Sequence, residues 1–167
     1  MTPGLHAVSI PVFVRMLRNL SSLLDKAAAD ASARGFDPTV LLGSRLYPDM
    51  FPLVKQVQLA CDFAKGASAR LAGVPVPPFP DDETTIDELK ARIVKVVAFA
   101  ESVSPAEVDR GFDRDVVVKM RDRSVELKGV DYLNGMAMPN FYFHVTTAYA
   151  ILRHNGVAIG KRDFVGI

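Results

Sequence analysis

An all-α fold, a four-helix bundle with one long crossover and a small β-hairpin inserted before the last helix, is what three features of this sequence predict. Apolar residues recur at three-and-four spacing in four long segments. A proline-rich stretch, GVPVPPFPDDETT, separates the second segment from the third, and DVVVKMRDRSVELKG replaces helical spacing with β-branched residues alternating with charges. At 167 residues and 49% hydrophobic content, the chain is sized for one domain, 1–167, with a real core.

The first helix is expected from about Val8 to Arg34, because Val12, Phe13, Met16, Leu17, Leu20, Leu24, Ala27 and Ala31 fall on one face. Pro11 is tolerable there only near the start, and Gly35 with Asp37-Pro38 ends the helix. Thr39 to Tyr47 reads as a short helical turn. Asp49 is the expected N-cap of the second helix, with Pro52 inside its first turn. Leu53, Val57, Ala60, Ala64, Ala67 and Leu71 then make a single stripe that runs out near Ala72.

The proline-rich stretch that follows is stiff and extended, suited to a connection that crosses the bundle. Thr85 caps the third helix, which carries Ile86, Leu89, Ile93, Val96, Val97 and Ala100 inward and the acidic Asp87 and Glu88 in its first turn. SPAEVDR predicts one more short turn, and the hairpin comes next. Asp131 opens the fourth long helix and Asn155-Gly156 closes it, where a left-handed residue is least costly.

Composition excludes several classes of function. Twenty Lys and Arg against nineteen Asp and Glu leave a formal charge of +1, with no single-sign run longer than a few residues, which argues against nucleic acid or an anionic membrane as partner. The one cysteine, Cys61, cannot form an intramolecular disulfide, and a reducing cytoplasm is the expected setting. The start, MTPGLHAVSIPVFVRML, lacks the pattern of a signal peptide, and no apolar stretch is expected to reach the length of a membrane span. A Gly-rich phosphate loop, a GxSxG elbow and a hydrolase-like carboxylate pair are all missing.

The informative residues are polar ones on apolar faces. Advancing about 100° per residue places Leu133, Ala137, Asn140, His144, Thr147, Ala148 and Ile151 in one stripe of the fourth helix. Asn140, His144 and Thr147 are therefore buried, and each needs a neighbour, a water, a metal or a ligand as hydrogen-bond partner. On the second helix Gln56 borders the inward stripe, whereas Gln58 and Asp62 point the other way. Pro139 removes the amide that would bond the Gly135 carbonyl, so a kink or break is expected just before Asn140, with Asn140 or a water repairing the freed backbone. His154 lies in a last turn, where a cation suits the helix dipole. His6 extends the first helix toward a pocket mouth or is a loose terminal residue. Cys61 reads as a buried, inert thiol, and Phe164 as the residue that docks the tail.

SIPVFVRMLRNLSSLLDKA, PDMFPLVKQVQLACDFAKG, DYLNGMAMPNFYFHVTTAYAILRHNGV and GKRDF together resemble an uncharacterised bacterial family, a domain of unknown function grouped with the DinB/YfiT-like metalloenzymes. The resemblance covers nearly the whole chain. It implies a four-helix bundle holding a divalent metal, zinc or nickel, through one histidine on the second helix and two, four residues apart, on the last. Some members of that group are thiol-dependent transferases or isomerases. Matched to this pattern, the last-helix ligands fall on Asn140 and His144, with Arg153 nine residues on. The second-helix ligand falls on Gln56, or on Gln58 in a register two residues later. Amide oxygens are poor ligands for zinc or nickel, so these residue types argue for a site emptied of metal or rebuilt.

Three functions are therefore open. One is a small-molecule pocket with His144 as general acid or base and Gln56, Asn140 and Thr147 orienting the ligand. Another is a non-catalytic structural or interaction module, a homodimer paired through rings of NFYF, some of which must leave the core-facing stripe. The last is a divalent-metal-dependent thiol transferase, with His144, Asn140 and Gln56 as ligands.

Overall fold

The computed structural model describes residues 4–120 and 122–167. Its four long helices are α1 (Leu5–Arg34), α3 (Leu53–Ala72), α4 (Ile86–Ser102) and α7 (Met138–His154). Shorter pieces connect them: α2 (Thr39–Leu42), α5 (Pro105–Arg110), the strands β1 (Asp115–Lys119) and β2 (Ser124–Lys128), and α6 (Gly129–Tyr132), which runs through a π-helical turn at Leu133–Ala137 into α7. α8 (Lys161–Val165) closes the described chain. α3 packs along α7 on one side and α4 on the other, and α1 packs along α4 and also meets α3 and α7. The apolar stripes of all four helices thus converge on one core, which includes Phe13, Leu20, Leu53, Leu89, Phe141 and Ile151.

α1 begins at Leu5, three residues ahead of the expected start, and Pro11 lies well inside it. The extra turn is retained because Leu5, Ser9 and Ile10 are buried, and Ser9 Oγ donates to the Leu5 carbonyl at 2.6 Å. By length and composition α1 does reach the threshold for crossing a membrane, contrary to expectation, but half of its apolar window is buried inside the protein. Phe13, Leu17, Leu20 and Leu24 on this helix are spent in the core.

The N-cap of α3 is Pro52, in an extended conformation, instead of Asp49. No side chain caps this end; the Leu53 N–H donates to the Ser44 carbonyl at 2.9 Å, so the segment after α2 supplies what a capping carboxylate would have. α4 follows expectation. Thr85 Oγ1 accepts from the Glu88 N–H, while the Glu88 carboxylate returns to the Thr85 N–H, a complete capping box. β1 and β2 pair antiparallel, with Val116 opposite Leu127 and Val117 opposite Glu126.

The last long helix starts at Gly129, not Asp131, and it does not break at Pro139. The missing proline amide is absorbed upstream by widening one turn, so that the Met138 N–H reaches five residues back to the Leu133 carbonyl. Asn155 and Gly156 terminate the helix, with Gly156 in the left-handed region at φ +92°. In the tail, half-buried Phe164 packs edge-on against Tyr149 at 5.6 Å, as expected of a docking residue.

Candidate functional site

Where α3 and α7 pack together, the first turn of one meets the middle of the other. Gln56, 1% exposed, places its Oε1 2.8 Å from Nδ1 of His144, itself 7% exposed. The opposite end of the same amide, Nε2, donates to the Phe51 carbonyl at 3.0 Å. Phe63, two turns farther along α3 on the face of Gln56, lies flat against the imidazole, with centroids 5.6 Å apart and planes 18° apart. Phe143 closes another side edge-on at 5.2 Å. Burial among these groups holds the His144 pKa below the usual imidazole value, favouring the neutral ring.

Among the described residues, Arg92 Nε and Arg114 Nε are the fully buried side-chain polar atoms without a partner. His144 Nε2 also pairs with none of the described residues and is not among these fully sealed atoms. The pair thus has a bonded end at Gln56 and an unpaired end at Nε2.

The other two ligand-binding candidates do not join this pair. Asn140 is half-buried and turns its amide nitrogen back to the Met136 carbonyl at 2.8 Å, not to the Gly135 carbonyl that Pro139 was expected to leave free. Thr147 is buried, and its hydroxyl donates to the Phe143 carbonyl at 2.7 Å. Thr147 also lines a shallow groove of about 420 Å³ with Leu46, Tyr142, Phe143, Thr146 and Ala150. Phe143 is common to both features, lining the groove and touching the imidazole.

The implied metal can be tested against this donor set. A tightly held zinc or nickel ion needs several ligands with lone pairs free, above all imidazole or thiolate. Here there is one imidazole, which with Nδ1 engaged by Gln56 offers a single nitrogen, and its companions are neutral amides. Among the described residues, no three His, Cys, Asp or Glu side chains gather where they could hold a metal ion. These residues do not fit zinc or nickel.

Gln56, then, is the glutamine that meets His144. Gln58 does point away from that imidazole, but it is buried, as its amide donates to Glu83 at 2.9 Å beneath the proline-rich crossing segment. Asp62 pairs with Arg92 at 2.9 Å and with Lys65 at 3.0 Å. Sequence reasoning treated that face as outward because it allowed nothing to cover it. The missed residue is Arg92, whose side chain is 2% exposed and also bonds Asp81, Glu83 and the Pro80 carbonyl. Its signal was available: it lies three residues after Leu89 and four before Val96, on the edge of an apolar stripe, and PDDE precedes it. Phe63, seven residues after Gln56, had a comparable signal.

His6 does not approach the site. It lines a groove of about 560 Å³ with Ile10, Arg15 and Val103, and its backbone N–H donates to Asp109. His154 and Arg153 are exposed at the end of α7. Cys61 is fully buried, and that burial pushes its thiol pKa up to about 12, which leaves it unreactive.

The family described as a domain of unknown function, DUF1993, matches residues 5–165 of this chain. A crystal structure of a DinB family member protein from Shewanella denitrificans is 42% identical to it. The two superpose with a TM-score of 0.91 over 98% of this chain and 92% of that one. No curated protein matches the sequence.

Proposed function

This chain belongs to the DUF1993 family, and on that premise we propose that it is a single-domain, DinB-like four-helix bundle of the cytoplasm that binds a small molecule at His144. The observation that carries this reading is the arrangement of the His144 ring. One nitrogen is anchored to Gln56, the flat face lies on Phe63, and the other nitrogen has no partner among the described residues. An imidazole held in this way is oriented for a ligand and can serve as a general acid or base toward it. The groove lined by Thr147 adjoins this ring only through Phe143, and Asn140 bonds its own helix instead of the pair. A thermal-shift screen of small polar and aromatic compounds tests it. Ligands that stabilise the protein should lose that effect in His144→Ala, and protection that survives the substitution would refute the site.

The second reading is a homodimer. Tyr142 and Phe143 leave the core, with Phe143 55% exposed, and Leu46 joins them in the same groove. Exposed rings of this kind favour burial against another apolar surface. Light scattering on the eluting protein tests the reading, since a strict monomer eliminates it. The metal-dependent thiol transferase ranks below both because the donor set does not suit zinc or nickel.

A further inference from the structure

Gln56 makes two hydrogen bonds through one side-chain amide, and together they decide which nitrogen of His144 carries the proton. The Phe51 carbonyl can only accept, so the end of the amide facing it at 3.0 Å must be the NH2. Turning the amide over would set two oxygens against each other there. Oε1 consequently faces His144 at 2.8 Å, and because an amide oxygen also only accepts, Nδ1 must donate. A neutral imidazole has a single N–H. With that hydrogen at Nδ1, Nε2 keeps its lone pair, and Nε2 is the ring nitrogen without a partner among the described residues.

We infer that Gln56 is a positioning residue that locks His144 in the Nδ1–H tautomer, so that the site takes an uncharged ligand presenting an O–H or N–H donor to Nε2 from an apolar frame. The donor requirement follows from the lone pair: a carboxylate would bring a second acceptor to it and leave both unmatched. The apolar frame follows from Phe63 and Phe143, which stand on two sides of the ring. The ligand class rests on the small-molecule reading proposed above. The tautomer does not, because both bonds that set it lie within the protein.

The test is a long-range proton–nitrogen correlation spectrum of the histidine rings in the 15N-labelled full chain. The chain has three histidines, so His6→Gln and His154→Gln assign the His144 signals by elimination. Free histidine in water favours the opposite tautomer, which makes the signature legible. Nδ1 of His144 should resonate as a protonated, pyrrole-type nitrogen and Nε2 as a bare, pyridine-type one. In Gln56→Met both signals should move toward a mixture. A protonated Nε2 with a bare Nδ1 in the unsubstituted protein overturns the inference, as does a folded Gln56→Met variant that keeps the full Nδ1–H signature. If Gln56→Met does not fold, the spectrum of the unsubstituted protein decides alone. Titration with phenol and with benzoate then separates the two halves. Phenol should shift the Nε2 signal and benzoate should leave it in place. With the tautomer signature intact, no response to phenol or an equal response to benzoate overturns the ligand class and counts against the small-molecule reading, leaving the role of Gln56 standing.

Discussion

Gln56 and His144 stand 88 residues apart in the chain and meet at 2.8 Å across the contact of α3 with α7. Each satisfies a polar group that the other's helix buries. Removing either partner leaves its counterpart unsatisfied, at a cost of about 1–3 kcal/mol. Gln56→Ala and His144→Ala should each destabilise by that order in urea unfolding. The double variant should fall short of the sum of the two, since the interaction can be lost only once.

The depressed pKa of His144 couples the site to pH. In the unfolded chain the imidazole titrates near 6.5, whereas burial holds the folded value lower. Between the two values the unfolded state binds the proton more readily, so stability is intact above about pH 6.5 and declines as pH falls through the window below it. Urea midpoints measured downward from about pH 7 should show this decline. His144→Gln, which has nothing to titrate there, should lose that part of the slope.

Arg92 pins the proline-rich crossing segment to the helices beneath it through Asp62, Asp81 and Glu83. Arg92→Met keeps much of the volume but takes one partner from each of three carboxylates, leaving Asp62 to Lys65, Asp81 to Lys55 and Glu83 to the Gln58 amide. Because Asp62 and Asp81 are about one-third exposed, the loss belongs at the low end for a broken buried ion pair, about 3 kcal/mol. Denaturant unfolding measures that loss. Limited proteolysis should also show new cleavage between residues 74 and 85, which a uniformly weakened protein would not confine to that stretch.

Gly129, where β2 passes into α6, lies hard against backbone. A Cβ there would come within 1.9 Å of the Gly111 carbonyl oxygen, and backbone cannot swing aside as a flexible side chain can. Gly129→Ala should cost about 2–3 kcal/mol by overpacking, read from the thermal midpoint. It should also broaden the His144 ring signals, because α6 and the π turn launch the helix that carries that residue.

Much of the helical architecture was legible locally. The stripes of α3 and α4, the Thr85 cap, the hairpin and the Asn155-Gly156 stop each depend on residues within a few positions of one another, and all appear where periodicity and end signals put them. The discrepancies share a cause. Asp49 lost the cap to Pro52 because Ser44 supplies a carbonyl from outside the helix, and Pro139 failed to break α7 because the preceding turn could widen. Gln58 and Asp62 were read as outward because a helical wheel does not register a strap lying over the helix.

What the sequence by itself determined is which side chains stand on which face. Asn140, His144 and Thr147 share a stripe, and Gln56 borders another, because 3.6 residues per turn is a property of the backbone alone. Which of them meet was decided only by tertiary structure. The axial offset of α3 against α7 brings Gln56 alone to His144, while Asn140 and Thr147 turn to carbonyls of their own helix. That offset depends on how whole helix surfaces interlock, which no local spacing encodes.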